Sequence, residues 1–153
     1  MQRVLVLGPG ASGKSTFARR LSDATGIPRI ELDAVFWSAD LQPTARADWV
    51  ARQEQLCAGA AWILDGDLGP YDALEVRLEL ADAVVVLDLP TWRCAWRAIR
   101  RSRERRDFWR WLLTWRRRYR PKLMRAVAEH AGAATLFVVR TTRESDDLIA
   151  RWG

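Results

Sequence analysis

The residues with the clearest chemical purpose stand near the N-terminus, where Gly8-Pro9-Gly10-Ala11-Ser12-Gly13-Lys14-Ser15-Thr16 fits the spacing G-x-x-x-x-G-K-[ST]. Glycines at that spacing let backbone N–H groups curl around phosphate oxygens. The lysine then reaches the β and γ phosphates and the next hydroxyl ligates Mg²⁺. The apolar run Val4-Leu5-Val6-Leu7 precedes the loop and a helical segment opens at Gly13-Lys14, which adds the positive end of a helix dipole. A strand before and a helix after is the setting this chemistry requires. The loop, Gly8 to Thr16, is read as a nucleoside triphosphate site, with Lys14 as the catalytic cation and Ser15 as a metal ligand.

Carboxylates supply the next candidates. Asp65 ends Trp62-Ile63-Leu64-Asp65-Gly66, where it can hold a water on Mg²⁺ opposite Ser15. Asp88 ends Val84-Val85-Val86-Leu87-Asp88 and rivals it, because the third and fourth strands should both flank the phosphate-loop strand. Strand-terminal Asp also serves as a cap or turn former, so the pattern leaves the two level. Asp33, after Ile30-Glu31-Leu32, is placed to orient an acceptor hydroxyl or take its proton. Phe36 and Trp37 follow, either to stack on a ring-bearing acceptor or to enter the core. Arg77, in Leu74-Glu75-Val76-Arg77-Leu78, is a candidate for an acceptor phosphate, the alternative being a surface ion pair with Glu75 or Glu79.

From Trp92 to Tyr119 arginines and aromatics interleave. Trp92, Trp96 and Ile99 share one helical face, and Phe108, Trp111, Leu112, Trp115 and Tyr119 share another. Both are expected to be packing faces. Arg97 and Arg101 lie one turn apart, with Arg100 beside them and Arg105-Arg106-Asp107 beyond. A hinged helical lid over residues 97–120 would bring Arg97, Arg101 and Arg106 to the phosphoryl oxygens and exclude water, and the planar arginine fork suits that task. The rivals are a solvated basic helix and a basic, tryptophan-rich hairpin on nucleic acid or a membrane surface. Direct nucleic-acid binding is the less favoured, because no recognised binding motif accompanies the charge.

Positioning these groups requires an ordered framework. The 153-residue chain suits one domain over 1–153. Strands are expected at Val4 to Leu7, Arg29 to Leu32, Trp62 to Leu64, Ala83 to Leu87 and Thr135 to Val139, with helical patterns between them. Helix signals include Phe17 and Leu21 before Gly26, a start at Pro43-Thr44, and a capping box of Thr141 and Glu144. The βαβαβαβαβα alternation with nearly continuous apolar strands implies a three-layer α/β fold around a five-stranded parallel sheet. Ligands then gather at the strand C-termini, which carry Gly8, Asp33, Asp65, Asp88 and Arg140. The loop beginning at Arg140 is expected in the base pocket. The net charge of +6 is concentrated between Arg93 and Arg125, which favours a local polyphosphate site over a generally basic surface. No apolar run approaches the ~20 residues of a membrane span and no leader pattern opens the chain, so a soluble cytoplasmic protein is expected. Cys57 and Cys94 read as buried small hydrophobes, and His130 as a helix-end cap before Gly132.

The order of these segments resembles small bacterial P-loop kinases of the adenylate-kinase-like class, especially the FlaR-type proteins labelled DNA topology modulation. The resemblance runs nearly end to end. It rests on the Walker A loop, Leu32-Asp33-Ala34-Val35-Phe36-Trp37, Trp62-Ile63-Leu64-Asp65-Gly66-Asp67, Arg77-Leu78 with Ala81-Asp82, Leu87-Asp88-Leu89-Pro90, and Arg120-Pro121-Lys122. It implies a nucleoside-monophosphate-kinase-like fold, ATP and Mg²⁺ as cofactors, Asp65 as the strand-three acidic group near the metal, and Arg97 and Arg101 as the spaced arginines of the lid. Two departures matter. Asp67-Leu68-Gly69-Pro70 replaces the Phe-Pro-Arg of adenylate kinases, removing the arginine that would hold AMP, and the lid is shortened. The expectation is a phosphotransferase acting on an unidentified small acceptor, nucleotide-like or a hydroxylated metabolite. The alternative is a nucleotide-switched regulatory or nucleic-acid-associated binding protein.

Overall fold

Runs of Val, Leu and Ile that need cover on both faces become five parallel strands: β1 (Arg3–Leu7), β2 (Arg29–Glu31), β3 (Trp62–Asp65), β4 (Ala83–Leu87) and β5 (Thr135–Val139). Their order is β2-β3-β1-β4-β5, which puts the phosphate-loop strand at the centre. The computed structural model describes residues 1–37, 42–69, 72–101 and 106–153, and at Arg101, Arg106 and Asp107 the backbone alone. Register aligns the functional ends, since Val6 pairs with Asp65 on one side and Val85 on the other.

Alternate residues of β1 divide the core into two layers. Val4 and Val6 pack with Phe17 and Leu21 of α1 (Lys14–Thr25) and with Leu148 and Ile149 of α8 (Thr142–Trp152). Leu5 and Leu7 face the opposite way. They meet α2 (Leu32–Phe36), α3 (Arg46–Cys57), α4 (Leu74–Leu80) and α7 (Arg120–His130). The result is the expected three-layer α/β architecture. A smaller cluster of Leu89, Cys94 and Leu112 joins α5 (Thr91–Arg101) to α6 (Arg106–Thr114), and a π-helical turn, Trp115–Tyr119, leads into α7.

Several local expectations are met. Thr141 caps α8 by accepting the Glu144 N–H at 3.1 Å, while the Glu144 carboxylate accepts the Arg140 N–H at 2.7 Å. Both cysteines are buried. Others are corrected. Leu32 leaves the strand and opens α2, which turns Asp33 into the first helical turn. His130 ends α7 but contacts the Glu79 carboxylate at 3.3 Å instead of capping carbonyls. The α6 stripe does pack, with Leu112 and Trp115 buried. The α5 stripe does not: Trp92, Trp96 and Ile99 are 67%, 55% and 61% exposed. Cys94 and Ala98 are the buried residues of α5 instead, and Cys94 packs with Leu89 and Leu112. Among the described residues no helix is long and apolar enough to cross a membrane.

Candidate functional site

The loop between β1 and α1 is bent by backbone conformations that side chains oppose. Gly13 sits at φ 95° and Ala11 at φ 56°, and the helix begins at Lys14 directly beyond. Gly10 is needed for a different reason: a Cβ there would collide with the Phe108 ring and come within 2.8 Å of the Trp111 ring. Two aromatics of α6 therefore lie over the phosphate loop, a cap the sequence pattern did not reveal. The Lys14 ammonium donates to the Pro9 carbonyl at 2.9 Å, and Arg97 pins the loop through the Ser12 carbonyl at 3.0 Å.

A cavity of about 270 Å³ opens beside this loop, and its walls include Lys14, Ser15, Asp33, Asp65, Glu31 and Phe108. The structure thus brings Lys14, Ser15, Asp33 and Asp65 together. Burial lowers the Lys14 pKa below that of a free lysine, while the charges of Asp65, Asp67 and Asp33 push the other way. Burial raises the Asp33 pKa, opposed by Lys14 and by a hydrogen bond from Trp37. Asp65 is fully covered by protein except for this opening, and its Oδ2 accepts from the Arg29 guanidinium at 2.9 Å. The same Arg29 nitrogen reaches Glu31 at 2.8 Å. Sequence reasoning missed Arg29. The signal was the register that sets Glu31 against Asp65 across β2 and β3, with Arg29 two residues back on the same face.

Asp88 has a different setting. Its carboxylate accepts from Arg116 at 3.1 Å and Arg120 at 2.9 Å, and it is not part of the cavity wall around Lys14. Those two arginines were also missed, because the π-helical turn brings them back onto β4 from residues 28 and 32 positions away.

A second cavity of about 420 Å³ lies on the other side of the loop. Ser12, Gly13, Trp96, Arg97, Thr141 and Ser145 are among its walls. Thr141 and Thr142, just beyond β5, are also among its walls, while Arg140 is exposed and not a wall residue. The side chains of Arg101 and Arg106, and all of Arg105, fall outside the described residues.

Two of the three acceptor candidates, Arg77 and Phe36, take other roles. Arg77 is wholly buried and commits both terminal nitrogens to Asp72, at 2.7 and 2.8 Å, with further bonds to Gln53 and the Gly66 carbonyl. It cannot offer its fork to an acceptor phosphate. Phe36 is 1% exposed and packs edge-on against Trp49, a core contact instead of a stacking platform. Trp37 remains at the surface, 36% exposed, and acts on Asp33 by hydrogen bonding.

The fold is that of P-loop kinases. The chain superimposes on shikimate kinase from Acinetobacter baumannii in complex with shikimate with a TM-score of 0.67, at 19% identity over 99% of this chain and 90% of that one. A gluconokinase from Sinorhizobium meliloti 1021 gives a TM-score of 0.59, at 20% identity over 98% and 92%. Deoxyadenosine kinase from M. mycoides with bound dATP gives 0.64, at 14% identity over 99% and 98%. At these identities the likeness establishes the three-layer α/β, nucleoside-monophosphate-kinase-like fold and not a shared substrate. No protein-family model matches the chain, and no curated protein matches it in sequence.

Proposed function

We propose that this protein is an ATP- and Mg²⁺-dependent phosphotransferase acting on a small acceptor, a FlaR-type relative of the adenylate-kinase-like enzymes. The observation that carries the reading is the single cavity where Lys14, Ser15, Asp33 and Asp65 meet at the phosphate loop. The loop backbone from Gly8 to Thr16 and Lys14 hold the phosphates. The α1 N-terminus adds its dipole. Residues 97–120 form the lid, through which Arg97 and Arg101 reach the phosphoryl group. Residues 1–153 act as one domain.

The residues present fit both groups. Ser12 Oγ is buried in the loop with no partner among the described residues, as expected of a donor turned towards an anion. No cluster of three His, Cys, Asp or Glu forms a cation cage among the described residues. A phosphate-bound Mg²⁺ needs only a hydroxyl and a carboxylate from the protein, completed by water and phosphate oxygens. Ser15 and Asp65 supply these, with Arg29 fixing the Asp65 carboxylate. Mg²⁺ bound there would neutralise charge on the phosphates. Asp33 receives the acceptor hydroxyl and takes its proton, and the 420 Å³ cavity bounded by Trp96, Arg97 and Thr141 takes the base. The three structural neighbours are named for kinases of small molecules, which agrees with a small acceptor.

A second reading, a nucleotide-switched protein that binds nucleic acid, draws on the exposed Trp92, Trp96 and Ile99 beside Arg93 and Arg100. One experiment separates the two. ADP release is measured with Mg²⁺ against nucleosides, nucleoside monophosphates and small hydroxylated metabolites, using Lys14→Ala and Asp33→Asn. The kinase reading expects one class to be phosphorylated and both variants to lose about 10²–10³-fold in kcat. ATP binding through Lys14 with no phosphorylated acceptor, together with steeply salt-dependent nucleic-acid binding, gives the second reading the lead.

A further inference from the structure

The outer face of α5 carries large apolar side chains that the core does not use. Trp92, Trp96 and Ile99 recur at intervals of four and three, so they form one stripe along the helix, and all three stay more than half exposed. Arg93, Arg97 and Arg100 repeat that spacing one residue on, which sets a cationic row along the flank of the apolar one. Arg97 is spent on the Ser12 carbonyl, at 3.0 Å. Arg93 and Arg100 pair with no carboxylate among the described residues, and their guanidiniums lie over the Trp92 and Trp96 rings at 5.3 and 4.2 Å. From Thr91 to Arg101 the sequence has four arginines and no acidic residue. An exposed apolar row with a polar rim marks an interaction surface on a protein of this kind.

We propose that this face of α5 docks the protein on an anionic lipid surface, with Trp92, Trp96 and Ile99 entering the headgroup boundary and Arg93 and Arg100 against lipid phosphates. The inference goes beyond the phosphotransferase reading and does not depend on it. Charge complementarity selects the partner. A helix with an apolar row beside a basic one lies in the plane of the interface, its apolar side sunk to the edge of the acyl chains, and anionic lipid adds electrostatic attraction. Indole rings favour that depth because the ring body is apolar while the N–H stays wet. At 11 residues α5 extends only ~16 Å, so it lies on a bilayer and does not cross the ~30 Å core. Nucleic acid offers the same charge but asks for bare ring faces on which to stack its bases. Here a guanidinium already covers one face of each ring, and Ile99 has no such face. A second copy of the chain is disfavoured by the same arginines, because a two-fold contact through this stripe sets Arg93 and Arg100 against their own counterparts.

The test is sedimentation with vesicles of phosphatidylcholine alone and of equal parts phosphatidylcholine and phosphatidylglycerol, at low and at physiological salt. The wild-type protein is expected on the anionic vesicles and not on the neutral ones, with binding weakened by salt. A Trp92→Ser/Ile99→Ser double variant should lower the partition coefficient about 10- to 100-fold, and Arg93→Gln about fivefold. None of these residues walls either cavity beside the phosphate loop, so ATP affinity and Tm should match the wild-type protein in both variants. Absence of the wild-type protein from anionic vesicles at low salt overturns the proposal, as does equal partitioning of the double variant. An oligonucleotide that binds through the stripe while vesicles do not assigns this face to nucleic acid. A concentration-dependent dimer that the double variant abolishes, again without vesicle binding, assigns it to a second copy.

Discussion

Asp65 and Asp88 end the two strands that flank β1, both buried and both paired with arginine, yet their surroundings give them opposite prospects. Asp65 meets one arginine, Arg29, whose side chain comes from the neighbouring strand, and the carboxylate shares a cavity with Lys14 and Ser15. Asp88 is clasped by two arginines from the π-helical turn and α7, one on each oxygen. Both stand at the C-terminal side of the sheet, Asp65 level with Val85 of β4 and Asp88 three residues further along. What differs is how many donors arrive, and from how far along the chain. A carboxylate with one partner has lone pairs left for a ligand, whereas one with two is a tie between strand and helix.

Asp72 marks the far end of this series. Its carboxylate and the Arg77 guanidinium are 3% and 0% exposed, so neither can recover solvent if the other is removed. Arg77→Ala is expected to cost about 3–5 kcal/mol of stability in denaturant unfolding, the largest effect predicted here. Burial pushes the Asp72 pKa up, but the charge and hydrogen bonds of Arg77 outweigh it and hold the pKa below the usual range. A depressed folded-state pKa gives stability that is present above the unfolded value of ~3.9 and lost as pH falls through the lower folded value. Stability should therefore fall as pH drops below ~3.9 towards the lower folded value in the native protein, and this part of the pH dependence should be missing in Asp72→Asn. Equal acid stability in the two proteins would show that the pair does not hold α4 to its loop.

The Asp65 and Asp88 contrast is sharpened by making the same change at both. Asp65→Asn should lower kcat by about 10²–10³-fold with a small change in Tm. Asp88→Asn should do the reverse, costing about 1–3 kcal/mol in unfolding, at the modest end because Arg116 and Arg120 reach solvent, with kcat lowered less. If Asp88→Asn lost more kcat than Asp65→Asn, the metal ligand would be on β4 and the contrast would fail.

The same contrast explains what could be read in the sequence. Strands were legible because a parallel sheet, covered on both faces, writes itself as short apolar runs, and Val4 to Leu7 or Ala83 to Leu87 fall where such runs do. The phosphate loop was legible because its glycines and lysine are contiguous. Which aspartate keeps a free face was not, because the decision lies in Arg29, Arg116 and Arg120, partners fixed by register and by a π-helical turn. Arg77 misled as well: its sequence neighbours Glu75 and Glu79 suggested a surface pair, while its partners are Asp72, in the loop that leads into α4, and Gln53 of α3. Periodicity likewise grouped Trp92, Trp96 and Ile99 on one face without showing that all three stay more than half exposed.

The smallest predicted effect tests the side of the contrast that faces the acceptor. Asp33 shares the cavity with Asp65, and burial raises its pKa while Lys14 and the Trp37 hydrogen bond pull it back. As proton acceptor it works only when ionised, so kcat/KM should climb with pH along a limb displaced above the ~3.9 of an ordinary aspartate. Trp37→Phe removes a hydrogen bond that favours the ionised form, so the limb should move to higher pH by a fraction of a unit, with the plateau rate nearly kept. A limb that stays in place in Trp37→Phe, or survives in Asp33→Asn, assigns the titration to another group. The proton would then leave the acceptor by a route that does not pass through Asp33, although Lys14, Ser15 and Asp65 would still share the cavity.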